Sequence, residues 1–218
     1  MVSGPPWPDR DRLISLADVR AVFDAGGPEG PTRTGLHGAT LQTPRPSAVL
    51  CTLFEEDGAA RVVLTRRSSS LRSHTGQVSF PGGRLDEGEE AVTAALREAK
   101  EEIGLDPSTV EIVGELSPLM TISSGAAITP FVGVLPRRPQ LHPNPSEVDR
   151  VFDVALSELT AADVYHEEVW PFPGGERSMY VFDLDGDTVW GATARMLTEL
   201  LDLIFDLPVP PGEPVVPS

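Results

Sequence analysis

The chain has 218 residues, enough for one domain with a sizeable core and additional length at its ends. An apolar content of 40% is that of a globular protein, and the net charge of −16 excludes the basic footprint that general nucleic-acid binding requires. No apolar run approaches the ~20 residues of a membrane-spanning helix, so neither nucleic acid nor membrane is an expected partner.

The first twelve residues, MVSGPPWPDRDR, are rich in Pro, Asp and Arg and read as flexible. They do not carry the basic-then-apolar pattern of a secretion signal, and the single Cys51 excludes an intrachain disulfide, so a cytoplasmic location is expected. Leu13, Leu16, Val19 and Phe23 have helical spacing over Leu13–Ala25, stopped by Gly26-Gly27-Pro28. The Gly-, Pro- and Thr-rich stretch that follows reads as a loop. The expected organisation is a flexible segment with one short helix over residues 1–46, a folded domain over 47–206 and a Pro-rich disordered tail over 207–218.

The folded part opens with AVLCTLF (48–54), a turn at Glu55–Gly58 and RVVLT (61–65), which together make a hairpin. Cys51 sits inside the first apolar run and reads as a buried structural thiol. Residues 66–79 show no periodicity and read as a polar, basic loop carrying Arg66, Arg67 and Arg72.

The stretch from Phe80 to Leu105, FPGGRLDEGEEAVTAALREAKEEIGL, organises the rest. Pro81-Gly82-Gly83 reads as a loop that allows close backbone approach. From about Glu89 strong helix formers take over, and Gly104 is the C-cap candidate. Val92, Leu96, Ala99 and Ile103 form the stripe that faces a core. Glu98, Glu101 and Glu102 fall on a different stripe. Like charges at i and i+4 cost a helix roughly 0.2–0.5 kcal/mol, and carboxylates near its C-terminus oppose the macrodipole. A hard divalent cation with oxygen ligands would relieve both penalties; a solvated face paired with Arg97 and Lys100 is the plainer alternative.

Beyond the helix, Val110–Leu116, Ile128–Leu135 and Glu147–Leu156 read as strands, with a small-residue loop over 121–127 and a Pro-rich connection at Pro136–Pro145. A helical turn is expected at Ser157–Ala162, and a strand pair at Tyr165–Phe172 and Met179–Leu184. Asp185-Gly186-Asp187 reads as a turn, and Trp190–Phe205 as a closing amphipathic helix. These elements give an α/β (α+β) sandwich with a mixed β-sheet.

Gly83, five residues, Glu89, seven residues, Arg97-Glu98, two residues, Glu101-Glu102, one residue, Gly104 and apolar Leu105 follow one another without a gap. This pattern resembles the signature box of the Nudix hydrolases, whose fold is an α/β/α sandwich. Ala99 is its soft position, where a larger aliphatic residue is common. The resemblance implies Mg²⁺ or Mn²⁺ held by Glu98 and Glu102, with Glu101 and the carbonyl near Gly83 helping. It implies structural roles for Arg97 and Glu89, and it makes Glu98, Glu101 and Glu102 the catalytic candidates.

Upstream, LTRRSSSLRSHTGQVSFPGG (64–83) is similar to the additional motif of the coenzyme A pyrophosphatase branch, as are SSGAAITPFVG, NPSEV and WGATA further on. The resemblance spans residues 47–205. It implies a small-molecule diphosphate substrate of the coenzyme A type, cleaved to 3′,5′-ADP and 4′-phosphopantetheine, and a homodimer as one possible assembly. Guanidinium groups bind phosphate oxygens with paired donors, so Arg66, Arg67 and Arg72 are the substrate-binding candidates. His74 reads as loop packing, Gly76 as a turn and Phe80 as the loop's core anchor. Trp170 and Phe172 read as core residues, with stacking on an adenine ring as the alternative. The general base stays open among Glu101, Glu102, Glu147, Glu167 and Glu168, and Glu147 is the candidate for a third metal-site carboxylate. ADP-ribose, dinucleotides or nucleoside triphosphates are the alternative substrates. A non-catalytic nucleotide sensor is disfavoured because Glu98, Glu101 and Glu102 are all kept.

Overall fold

The computed structural model describes residues 4–8, 12–27, 44–68, 76–121, 125–172 and 175–209. Its spine is β1 (Arg45–Glu56). Apolar on both faces, β1 has both covered: Ala48, Leu50 and Phe54 enter one core cluster, Cys51 and Leu53 the other. The thiol of Cys51 is fully buried and held protonated by that burial. Asp57 and Gly58 take φ of 52° and 78°, the two-residue hairpin geometry that returns the chain into β2 (Ala59–Arg67).

β1 and β2 pair only near this turn, over Leu53–Glu56 and Ala59–Val62. Towards their other ends they part, and the next segment fills the gap. β3 (Val78–Ser79) pairs with Thr65 and Arg66 of β2, and β4 (Gly82–Arg84) pairs with Ser47–Val49 of β1. The double-glycine stretch expected to be a loop is therefore a short strand. A side chain at Gly82 would overlap the Ala48 carbonyl oxygen and Val49, so only glycine lets this backbone lie so close to β1.

β7 (Ala126–Val134) runs parallel to β1 on its far side, and β5 (Glu111–Glu115) and β6 (Leu119–Met120) pair antiparallel with β7. β8 (Val148–Ala155) pairs antiparallel with the outer side of β2 and completes a mixed eight-stranded sheet. One face carries α2 (Ala91–Ile103) through Ala94, Ala95, Ala99 and Ile103. The other carries α1 (Leu16–Asp24), α4 (Gly191–Ile204) and a three-stranded antiparallel sheet of β9 (Tyr165–Phe172), β10 (Gly175–Leu184) and β11 (Asp187–Trp190). A one-turn helix, α3 (Leu156–Leu159), follows β8. The expected mixed α/β sandwich is the architecture found. No helix among the described residues is long and apolar enough to cross a membrane.

The described parts of the leading segment are packed, against the expectation of a free extension. Trp7, Ile14 and Val19 belong to the same buried cluster as Leu197 and Leu201 of α4. The Trp7 ring meets Tyr165 edge-on at 4.7 Å, and its indole N–H donates to Asp202. α1 begins at Leu16, later than the apolar spacing predicts, because Ser15 and Asp18 form a reciprocal capping box. Three further expectations shift. β2 runs on through Arg66 and Arg67, β7 starts inside the predicted small-residue loop, and Asp187 opens a strand that the turn reading hid.

Candidate active site

The site forms where β4 meets α2. Good helix formers carry α2 from the Glu90 N-cap to Gly104, whose φ of 69° closes the helix in the left-handed region. The carbonyl groups at its C-terminal end accept from the following strap: His142 N–H to Ile103 O at 2.8 Å, and Asn144 N–H to Glu102 O at 2.8 Å. Asn144 then turns the chain, its side-chain oxygen accepting from the Ser146 amide and hydroxyl. Glu147 follows at the mouth of β8, its carbonyl accepting from Ser68 N–H.

The alternating sides of α2 separate the box glutamates. Glu102 is 5% exposed, and one carboxylate oxygen accepts the Gly82 amide at 3.1 Å. The other lies 3.9 Å from the Arg67 guanidinium. Burial pushes its pKa up to about 7; the negative charges of Glu98 and Glu147 push the same way, while Gly82 and Arg67 oppose. Glu98 is raised for the same first reason, with Glu101 and Glu147 adding and Arg97 opposing. Its carboxylate packs against Gly83 with no room for a Cβ there.

Arg97 ties this corner together. It donates to both oxygens of Glu89 at 2.9 Å, to Glu98 at 3.0 Å, to Glu101 at 3.2 Å and to the Arg84 carbonyl at 3.0 Å. That grip holds the Glu89 carboxyl down at about 2, aided by the Asp86 amide. The structural roles expected for Arg97 and Glu89 are the contacts they make.

Glu98 and Glu102 thus come together over Gly82-Gly83, with Arg67 beside Glu102, and both carboxylates feel the charge of Glu147. Glu101 does not join them. It is half exposed and turned to Arg97. Arg66 does not join them either, because successive strand residues face opposite sides of a sheet. It crosses to the other face and pairs with Asp187 at 3.4 Å. Arg72 and His74 lie outside the described residues. Glu167 and Glu168 belong to β9 in the second sheet, where they bond Tyr165 and Ser178, and His166 and Trp170, respectively. Local patterning missed Asp187 and Arg150, which join across strands far apart in sequence.

Among the described residues no three acidic, His or Cys side chains close into a finished metal cage. The donor set nevertheless fits a hard divalent cation. Burial raises the proton affinity of both Glu98 and Glu102, the charge of Glu147 adds to it, and the Arg67 guanidinium lies 3.9 Å from Glu102.

A NUDIX domain profile matches residues 44–169. The chain belongs to the Nudix family. A Nudix hydrolase of Photorhabdus laumondii named NudL is 37% identical over 189 residues, 86% of this chain and 97% of that protein. Nudix hydrolase 22, chloroplastic, of Arabidopsis thaliana is 38% identical over 174 residues, 76% of this chain but only 57% of its own length. Among solved structures, a MutT/nudix family protein from Enterococcus faecalis superposes with a TM-score of 0.49 at 13% identity, over 89% of this chain and 76% of that one. In this Nudix hydrolase the box is the β4–α2 corner, with its glutamates sorted by helical phase.

Proposed function

We propose that this Nudix hydrolase is a divalent-metal-dependent diphosphatase acting on coenzyme A or its derivatives. The observation that carries the reading is the seating of Glu98 and Glu102 against the Gly82-Gly83 backbone, with Arg67 facing Glu102 and the charge of Glu147 acting on both carboxylates. Glu98 and Glu102 would hold Mg²⁺ or Mn²⁺, with Glu147 as the third carboxylate. Such an ion, when bound, neutralises phosphate charge and acidifies a water molecule.

The chain's own groups supply the rest. Arg67 orients the diphosphate through paired N–H donors. The Gly82 amide fixes Glu102, and Arg97 fixes Glu98, so neither carboxylate must reorganise as charge develops. Glu147 has no cationic partner among the described residues and is the group we assign to take the proton from water. The water oxygen bonds to one phosphorus, the bridging P–O bond breaks, and the second phosphate leaves with the bridging oxygen. On coenzyme A the products are 3′,5′-ADP and 4′-phosphopantetheine. The upstream arginine motif favours this substrate over ADP-ribose.

Product analysis after incubation with Mg²⁺ or Mn²⁺ tests the reading. Coenzyme A should be cleaved well ahead of ADP-ribose, dinucleotides or nucleoside triphosphates. Turnover of ADP-ribose without turnover of coenzyme A would overturn the substrate assignment.

A further inference from the structure

Two consecutive arginines leave the end of β2 in opposite directions. Arg67 points to Glu102 on the α2 face. Arg66 points to the face covered by the second sheet, where its Nη1 lies 3.4 Å from one oxygen of Asp187. Directly across the ladder from Arg66 stands Arg150 of β8. Its Nη1 lies 2.9 Å from the other oxygen of the same carboxylate.

Like charges opposite one another on neighbouring strands destabilise a sheet. Asp187, with a side chain 3% exposed, offsets one of the two charges. Neither arginine has another ion-pair partner among the described residues. One positive charge is left over, in a chain whose net charge is −16. The two side chains are 36% and 45% exposed, so solvent reaches both of them. The Arg150 guanidinium also lies 4.7 Å from the Phe152 ring centroid, which limits its freedom to turn away.

We propose that Arg66 and Arg150, held as a pair by Asp187, form a second anion site that takes a phosphomonoester group of the substrate. Two guanidinium forks sharing one carboxylate can each give further N–H donors to a tetrahedral oxyanion, whose charge of about −1.5 to −2 exceeds the surplus it meets. The site lies on the opposite face of the sheet from the Glu98–Glu102 corner, beside the end of β2 where Arg66 and Arg67 diverge. A nucleotide carrying a diphosphate on one arm and a phosphomonoester on another would reach both by passing round the end of β2. The inference rests on the diphosphatase reading only for what occupies the other end.

Calorimetric binding of adenosine 3′,5′-bisphosphate and adenosine 5′-monophosphate to the full chain, with Mg²⁺ present, tests it without any turnover. The wild-type protein should bind the bisphosphate at least tenfold more tightly. Arg150→Ala should collapse that ratio towards one, and Arg150→Lys, which keeps the charge but not the fork, should give an intermediate ratio. Asp187→Asn should lower the ratio by releasing both guanidinium groups. A merely structural role for Arg150 would weaken both nucleotides together. That outcome, a wild-type ratio near one, or no measurable binding of either nucleotide overturns the proposal. Failure to hydrolyse coenzyme A would instead overturn the diphosphatase reading and leave these ratios readable.

Discussion

The Glu98 carboxylate rests directly on Gly83, with no space for a methyl group between them. Gly83→Ala should therefore push Glu98 out of the cluster while the strand persists, because the Gly83 backbone does not need a positive φ. Hydrolysis should fall at least about 100-fold, the scale of losing one preorganised charged contact. The rise in melting temperature on adding millimolar Mg²⁺ should shrink with it. Gly82→Ala is a different kind of change. It drives a Cβ into the backbone of β1 and should cost about 1–3 kcal/mol of stability. Full activity in Gly83→Ala would mean that Glu98 is not a site residue.

One guanidinium positions several carboxylates, so Arg97→Lys is not conservative. A lysine ammonium can reach one partner at a time and cannot fork across Glu89 while holding Glu98. The variant should stay folded but lose about tenfold in kcat, the lower range for removing a group that orients a metal ligand. The Glu89 carboxyl, held at about 2 by Arg97, should move back towards the ordinary glutamate range. A carboxyl NMR titration reads this directly, and an unmoved Glu89 would disprove the coupling.

How far the site was legible follows from sequence separation. Gly83, Glu89, Arg97, Glu98 and Glu102 lie within a helical stretch and its lead-in, where spacing alone places side chains on faces. Their grouping was readable. Glu101 was harder, since spacing shows the stripe but not that Arg97 draws this carboxylate aside. Arg66 and Arg67 look equivalent in a polar run; only the continuation of β2 through both sends them to opposite faces. Asp187 reads as a turn residue because Asp-Gly-Asp is turn chemistry, and nothing local shows that two arginines from distant strands bury it. Trp7 is separated by 195 residues from the carboxylate it bonds. A Pro-rich neighbourhood made it look detached from a core it helps to build.

Removing the Glu102 charge should separate stability from catalysis. Without a cation, the raised folded-state pKa of Glu102 contributes stability that is complete below the ordinary glutamate value and is lost as pH rises through about 7. Glu102→Gln keeps an oxygen for the Gly82 amide but cannot ionise. In EDTA its melting temperature should fall less than that of the wild-type protein between pH 5 and 8. Adding Mg²⁺ should stabilise the wild-type protein alone, and activity should drop at least about 100-fold in the variant. Wild-type turnover by Glu102→Gln would remove Glu102 from the site.

A second buried carboxylate, remote from the box, governs the docking of the leading segment. The Trp7 indole N–H donates to Asp202 at 2.9 Å within the core. Burial pushes the Asp202 pKa up to about 6, with Glu199 and Glu167 adding and Trp7 and Arg195 opposing. The fold thus favours the protonated acid relative to the unfolded chain, where the carboxyl titrates near 3.8. The resulting stability is complete below about pH 4 and is lost as pH rises through about 6. Asp202→Asn keeps an acceptor for Trp7 and cannot ionise, so between pH 4 and 7 it should lose about 2 kcal/mol less than the wild-type protein. Trp7→Phe keeps most of the ring packing but removes the N–H that favours the charged form. It should raise the Asp202 pKa and steepen the loss. Denaturant unfolding across this pH range measures both slopes. Parallel curves for wild type and Asp202→Asn would show that Asp202 does not titrate there, and that the Trp7 contact is insensitive to pH.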